Sequence, residues 1–456
     1  MYLIHKGEEL TVSVIGKIIN AFMLTDLPRL IKYKNYYDGV QAILAKKPTD
    51  TGKPDNRIVV NFCNSIVENY QGYIAGIPLS YHNDKKDIDA VIDILNYNDV
   101  EEEDSEWLRQ ALIYGRAFEI CYIDDDKKQR FKTLPATECI PVYDADLNNE
   151  LAYVIRFYAD KIYTNGPIAE DEYYVEVYSP TEITVYKAQA GFDQFEFVST
   201  TPYFYGQVPI TVFSLNKDEV SIFAKIMSMQ DAYNTIVSES INDYESFADA
   251  YMVIKGMTAD DKDLEQMKEH RVLLLDADAS AEYLTKTFSD GQTVNLLKEL
   301  NEKIHSISNS PDFTDEEFMA QSGIALKYKL IGFENRASAI EQQMRKAITK
   351  RIELLADIIK LSDAETVWQD INIQFTRNLP TDVTENVNVV VQLQGIVSNE
   401  TLLGLLPFVQ DPQTELEKVK AQKESNMELY DFPLSSNLAN LPQTVEEEID
   451  EEELLD

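Results

Sequence analysis

The chain has 456 residues, 44% hydrophobic and 10% aromatic, enough to pack roughly two to four domains and too apolar for a disordered polymer. Its 79 acidic residues outnumber 41 basic ones, a net charge of −38, which excludes the basic footprint of an ordinary nucleic-acid binder. Three cysteines without a CxxC pair exclude a disulfide framework, and no run reaches the ~18–20 apolar residues of a membrane span.

Cys63, Cys121 and Cys139 each lie among apolar residues, which predicts buried free thiols and a reducing, intracellular origin. The opening MYLIHKGEELTVSVIGK lacks a signal-peptide layout. Residues 11–45 read as two helices, with Ile15, Ile19 and Phe22, then Leu30, Tyr36 and Ile43 at helical spacing. KKPTDTGKPDNR follows. It lacks the glycine frame and the Ser or Thr of a phosphate-binding loop. A third helix is expected over 61–74, ended by Gly76 and Pro78, and helical character returns at 83–106 and 105–116.

Residues 115–215 are a succession of alternating, β-branched or aromatic runs such as AYVIRFYA and YYVEVYS, read as a mostly antiparallel β region. From 217 to 249 one long helix is expected, then a small α/β insert with strands at 250–256, 271–276 and 281–287 and a helix at 260–270. A second helix covers 293–308. The loop 309–322 leads through Ser322 and Gly323 into a helix over 323–361, striped by Ile340, Met344, Ile348, Ile352, Leu355 and Ile359. A strand at 370–376 and helices at 382–394, 398–405 and 412–428 complete the chain. The tail VEEEIDEEELLD is a solvated acidic end.

Catalytic signals are weak. No GxSxG, Cys-His or HExxH arrangement stands out, and His5, His82, His270 and His305 are isolated, so neither an enzyme, a metal site nor a cofactor is expected. HRVLLLD (270–276) has neither the Asp spacing nor the Asn of a kinase catalytic loop.

Several segments together resemble the portal proteins of long-tailed bacteriophages that infect Gram-positive bacteria. They are YYDGVQAIL with RIVVNFCNSIVENYQGYIAGIP (36–78), ALIYGRAFEICYID (111–124), IPVYD (140–144), MSMQDAYNTIVSESINDYESFADAYMVIKG (227–256), EYLTK (282–286), and the long run from Ser310 through Leu355. The resemblance implies an α+β portal fold assembled as a ring, most simply a dodecamer. Residues 1–216 would form a wing, 217–249 and 293–308 the stem helices, 250–292 the clip and 309–322 a tunnel loop. Residues 323–362 would be a long wing helix, 363–380 a wing strand, and 381–456 the crown and tail. It further implies double-stranded DNA in an axial channel, docking of the large terminase and then of head-completion proteins, contact with scaffold and major capsid protein, no membrane, and residence at a virion vertex after assembly in the host cytoplasm.

On that resemblance the tunnel loop would present Asp312, Phe313, Asp315, Glu316, Glu317, Phe318 and Met319 to the channel, hinged at Ser322 and Gly323. The acids form negative belts, or they are ordinary first-turn residues of a short helix. Residues 321–360 carry eight Lys/Arg against four Asp/Glu, a local +4. Lys327, Lys329, Arg345, Lys346, Lys350 and Arg351 would pair with neighbouring subunits or face DNA, and Ile348 would sit at a packing seam of the ring. The clip helix, with Asp260, Asp261, Lys262, Glu265, Lys268, Glu269 and His270, would receive the terminase. A monomeric acidic scaffold or adaptor is the competing reading. It accounts for the charge but not for two helices bracketing a small insert.

Overall fold

The computed structural model describes residues 1–47, 54–83, 87–159, 172–248, 252–255, 280–283, 290–314, 326, 328–359, 368–378, 383–406, 409 and 412–430. Two units separate, Met1–Leu379 and Pro380–Asp456. The first opens with β1 (Tyr2–Ile4) and α1 (Val12–Tyr37), followed by α2 (Phe62–Ala75), β2 (Ser80–His82), α3 (Asp89–Tyr97) and α4 (Val100–Tyr114). Eight strands follow: β3 (Arg116–Ile123), β4 (Gln129–Leu134), β5 (Cys139–Asp144), β6 (Leu151–Ala159), β7 (Glu172–Tyr178), β8 (Glu182–Gln189), β9 (Phe195–Pro202) and β10 (Ile210–Ser214). Then come α5 (Met227–Ala248), β11 (Met252–Lys255), β12 (Ser280–Tyr283), α6 (Asp290–Ser308), α7 (Ile331–Ile359) and β13 (Asn372–Gln374). The second unit holds α8 (Val383–Leu393), α9 (Asn399–Gly404) and α10 (Pro412–Tyr430).

The β region forms a six-stranded sheet, ordered β1-β5-β6-β7-β8-β9, and a three-stranded sheet, β10-β3-β4. All their pairings are antiparallel except β1 on β5, a parallel edge that the sequence reading missed because three residues carry too little alternation. β13 pairs antiparallel with β2, so residues 372–374 return to the N-terminal half. β11 and β12 pair antiparallel across the insert, and the strand expected at 271–276 lies outside the described residues. All three thiols are buried and free, and burial pushes each above the ordinary cysteine range. Among the described residues no helix is long and apolar enough to cross a membrane.

Three boundaries differ from expectation. Residues 12–37 form one helix rather than part of two, running through Pro28. A proline costs one helical bond, but Ile15, Ile19, Phe22, Leu30 and Tyr33 bury one continuous stripe that outweighs it. The expected helix from 217 starts only at Met227. Asn216 Oδ1 accepts the Val220 N–H (3.1 Å), its amide donates to Val220 O (2.7 Å), and Glu219 takes a left-handed φ of 50°, so this stretch is a turn. The facing residue is Gly115 at φ 85°, where a Cβ would come within 2.4 Å of the Glu219 backbone. Third, the long helix is continuous only from Ile331. Leu330 is a turn, bridged by Leu330 N–H to Leu326 O (3.0 Å) and Glu334 N–H to Leu330 O (2.8 Å).

Helix α5 is tied to the linker before α2 by a polar ladder. Gln230, Asn234, Ser238 and Asn242 recur every fourth residue, and all four are buried. They accept alternate backbone N–H groups: Phe62 to Gln230 (3.0 Å), Val60 to Asn234 (2.9 Å), Ile58 to Ser238 (3.0 Å) and Asn56 to Asn242 (2.6 Å). Four helical residues advance ~6.0 Å and two nearly extended residues ~6.6 Å. The two spacings match, so the linker is held straight without a partner strand.

Replacing Asn234 by Leu strands the Val60 N–H and the Gln41 side chain that Asn234 also bonds (2.5 Å). It should cost about 1–3 kcal/mol, read from the urea midpoint. An unchanged midpoint would mean the ladder is not holding the linker.

Candidate functional site

Helices α5 and α6 run side by side. Arg336, on the first turns of α7, joins their roots. One of its terminal nitrogens donates to Ser308 O at the end of α6 (3.0 Å), and the other donates to Ile222 O just before α5 (2.9 Å). Its guanidinium lies 5.9 Å from the Tyr70 ring, and Tyr70 Oη donates to the same Ser308 O (3.0 Å). Burial pulls Arg336 below the ordinary guanidinium range, with no carboxylate paired to it among the described residues. A cation in such a place is held by carbonyl dipoles and a ring face. Phe333, one turn earlier, packs on Tyr70 and Tyr73 with ring centroids 4.6 and 4.5 Å apart.

The same region fixes the entry to the loop after α6. Asn69 Nδ2 donates to Ser310 Oγ (3.0 Å), and His305 Nδ1 lies 2.9 Å from Ser310 O, the geometry of a donated bond. Asn301 Nδ2 donates to Asp312 Oδ2 (2.9 Å), while Asp312 Oδ1 accepts the Thr314 N–H (3.0 Å) and hydroxyl (2.6 Å). Burial would raise the Asp312 carboxyl, but the hydrogen bonds from Thr314 and Asn301 hold it below the ordinary value. Asp312 is thus an anchor within its own chain. Phe313 is 42% exposed. Asp315, Glu316, Glu317, Phe318, Met319, Ser322, Gly323 and Lys327 lie outside the described residues, as do Asp260, Asp261, Lys262, Glu265, Lys268, Glu269 and His270.

The approach to α5 is clamped from a second side. Arg29 donates to Glu219 O (2.7 Å) and to Asp26 (2.9 Å), and Arg116 donates to the Glu219 carboxylate (2.8 Å). Ser221 Oγ and the Ile222 N–H both bond Leu112 O, at 3.1 and 3.0 Å. Residues 219–222 are therefore held by α1, α4, β3 and α7 together.

The described cations expected to face neighbours or DNA divide into three groups. Arg351 is fully buried and belongs to the core, which corrects its assignment. It forks onto Glu119 at 2.6 Å through each of two nitrogens, reaches Asp104 at 2.7 Å, and sits over Trp107 and Phe131. It serves two carboxylates, so one negative charge is in excess, and burial pushes Glu119 up to about 7 against the attraction of Arg351. Burial would lower Arg351 itself, but Asp104 and Glu119 keep it well above its ordinary value.

Arg345 is spent within the chain on Ile373 O and on Glu341 (2.8 Å), and Lys350 on Gln207 and on Glu353 (2.8 Å). Lys329 and Lys346 are exposed. Ile348 is also wholly buried within one chain, so it is a core residue rather than one at a seam between subunits.

Arg336, Arg377 and the ladder were not singled out from the sequence. Arg377 grips Glu334 (2.9 Å) and Glu341 (2.8 Å) and so ties the strand segment to α7. A signal existed for Arg351: it falls three residues after Ile348 and four before Leu355, on the apolar stripe itself.

The model of the SPP1 Gp6-like phage portal proteins matches residues 17–429. The chain is 21% identical over 417 residues to the portal protein of Bacillus phage SPP1, covering 87% of this chain and 81% of that one. It is 24% identical over 446 residues to the portal protein of Clostridium phage phiCD119, covering 90% and 97%.

Arg336→Ala should lose about 1.5–3 kcal/mol for each charged hydrogen bond removed. Arg336→Lys should fall between, because an ammonium cannot fork across two carbonyls; thermal unfolding of the three proteins orders them. Arg351→Met strands two buried carboxylates and should cost about 3–5 kcal/mol in chemical denaturation. A depressed carboxylate adds stability at neutral pH that is lost as pH falls through its folded value. Amide-exchange protection at Thr314 should therefore decline on acidification and approach that of Asp312→Ala. A gap between the two that is independent of pH would remove the charge from the anchor.

Proposed function

The chain belongs to the SPP1 Gp6-like family of phage portal proteins, and we propose from that premise that its copies close a dodecameric ring at one capsid vertex. Double-stranded DNA enters through the ring during packaging and leaves through it on ejection. The observation that carries this reading is the extent of the family match, which runs from α1 into α10. The family is structural. The work assigned to this chain is accordingly geometric, and a separate terminase supplies the motive force.

Two physical features support the ring. The stem helices leave Tyr244, Val294, Leu296 and Ile307 between 42% and 79% exposed, and adjacent copies would cover them. The net charge of −38 gives a channel wall little hold on phosphate, so DNA slides rather than binds. Lys346, exposed on α7, remains a candidate for contact across a subunit boundary. The tunnel loop and the clip helix keep the roles implied by resemblance: loop residues 315–323 beside DNA, and Asp260 through His270 as the terminase dock, replaced after filling by head-completion proteins. Scaffold and major capsid protein would meet the wing, and assembly would take place in the host cytoplasm.

Native mass with negative-stain imaging at moderate salt tests the reading. A ring with a central hole is the expected result, and a monomer at every concentration would oppose it. Deleting residues 315–321 spares the Asp312 anchor. It should leave ring mass unchanged while DNA packaging drops sharply, and normal packaging would remove the loop from the mechanism.

A further inference from the structure

β9 is the outer edge of the six-stranded sheet, and it is open. Seven of its eight residues are exposed, including Phe197 at 61% and Val198 at 45%. The Tyr203 N–H bonds Thr181 O (2.9 Å), which makes 181 and 203 a hydrogen-bonded pair. Alternation along the antiparallel ladder then turns the N–H and C=O of Thr200 and the C=O of Pro202 outward. Pro202 stands where its missing N–H costs no sheet bond. No described residue takes these outward groups. The edge of the three-stranded sheet differs: at β4, Asn98 and Glu103 side chains accept the Phe131 and Thr133 N–H groups at 3.2 and 3.0 Å. A bulge at Val198 interrupts the β9 edge but leaves residues 199–202 in register.

Beside that open run lies an apolar cavity of about 530 Å³, lined by Ile123, Tyr178, Ile183, Thr201, Phe204 and Tyr205 among others, with no charged residue in its wall. Phe204 stands at the rim, 81% exposed. Tyr205 is 6% exposed, and its hydroxyl is buried without a hydrogen-bond partner. The edge and the cavity are in register. A guest strand residue opposite Thr201 would point to the same face as Thr201 and Ile183, directly into the cavity.

We propose that β9 and this cavity form a β-augmentation site for an extended segment of a different protein. The guest pairs with Thr200 and Pro202 and places one bulky apolar side chain in the cavity. Charge selects its composition. Glu182, Asp193 and Glu196 are exposed around the edge, while Lys187 on β8 is paired with Glu172 (3.4 Å). Lys or Arg therefore flanks the apolar anchor. A second copy of this chain fits poorly: its own β9 edge carries the same exposed acids, Glu182, Asp193 and Glu196, and the other edge of its sheet, β1, is three residues long. The site does not depend on ring formation, which native mass reads separately.

The test probes the full-length chain against printed short peptides of random sequence, each also made with an N-methylated backbone. Wild type should select peptides with a bulky apolar residue beside Lys or Arg. Thr200→Pro, which removes the outward N–H, and Phe204→Asp, at the exposed rim, should each weaken that binding about tenfold or more. The N-methylated copies should fail. Circular dichroism checks the fold of both variants, and Phe204→Asp carries the test if Thr200→Pro misfolds. The proposal is overturned if no peptide distinguishes wild type from the variants, if N-methylation makes no difference, or if acidic peptides are preferred. It is equally overturned if the interaction lost in both variants is association of the chain with itself.

Discussion

One guanidinium holds the end of α6 and the approach to α5 together. Arg336 bonds the carbonyl that closes α6 and a carbonyl just ahead of α5, so residues 222 and 308, far apart in sequence, share a single donor on α7. This arrangement needs a planar fork with fixed donor directions. It also needs the site to be dry, since water would satisfy either carbonyl without joining them. Phe333, Tyr70 and Tyr73 provide the dry wall. Helices α5 and α6 are fixed to the rest of the first unit through this contact and the clamp on residues 219–222.

The consequence is an uneven distribution of stiffness. Residues 219–222 are held by α1, α4, β3 and α7, and α5 is bound at four positions to the linker before α2. The loop after α6 is secured as far as Asp312 and Thr314. A ring of such subunits would transmit displacement at the stem into the wing rather than absorb it there. The anchored parts have few alternative arrangements, as packed cores and satisfied networks do.

Charge plays two different roles. At the surface the excess of acid keeps the chain from holding polyanions. Inside, the few cations are structural: Arg351 joins α7 to α4 and β3, Arg377 joins the β13 segment to α7, and Arg336 joins the stem roots. A locally basic helix in an acidic chain therefore owes much of its charge to its own core. Even at the β9 edge the acids act as a filter, admitting a guest of opposite sign.

The sequence alone determined the element types and their order. Periodicity depends on which face is buried, and α2, β6 and β7 each bury one face over a long enough run to be legible. The order of the quoted segments was also enough to suggest the family, because sequence order survives where local identity does not. Short or exceptional elements were not legible: β1 has three residues, α1 runs through a proline, and the turn at 216–222 is enforced by Gly115 from another strand. Tertiary structure alone decided where the polar residues went. The Gln230–Asn242 stripe is polar, yet it is buried, because alternate amides of a distant linker fall at the matching repeat. Arg351 is charged, yet it is core, because Glu119 and Asp104 arrive from other elements. A side chain's partners are set by which backbone the fold brings opposite it, and that information does not reside in the side chain's own neighbourhood of sequence.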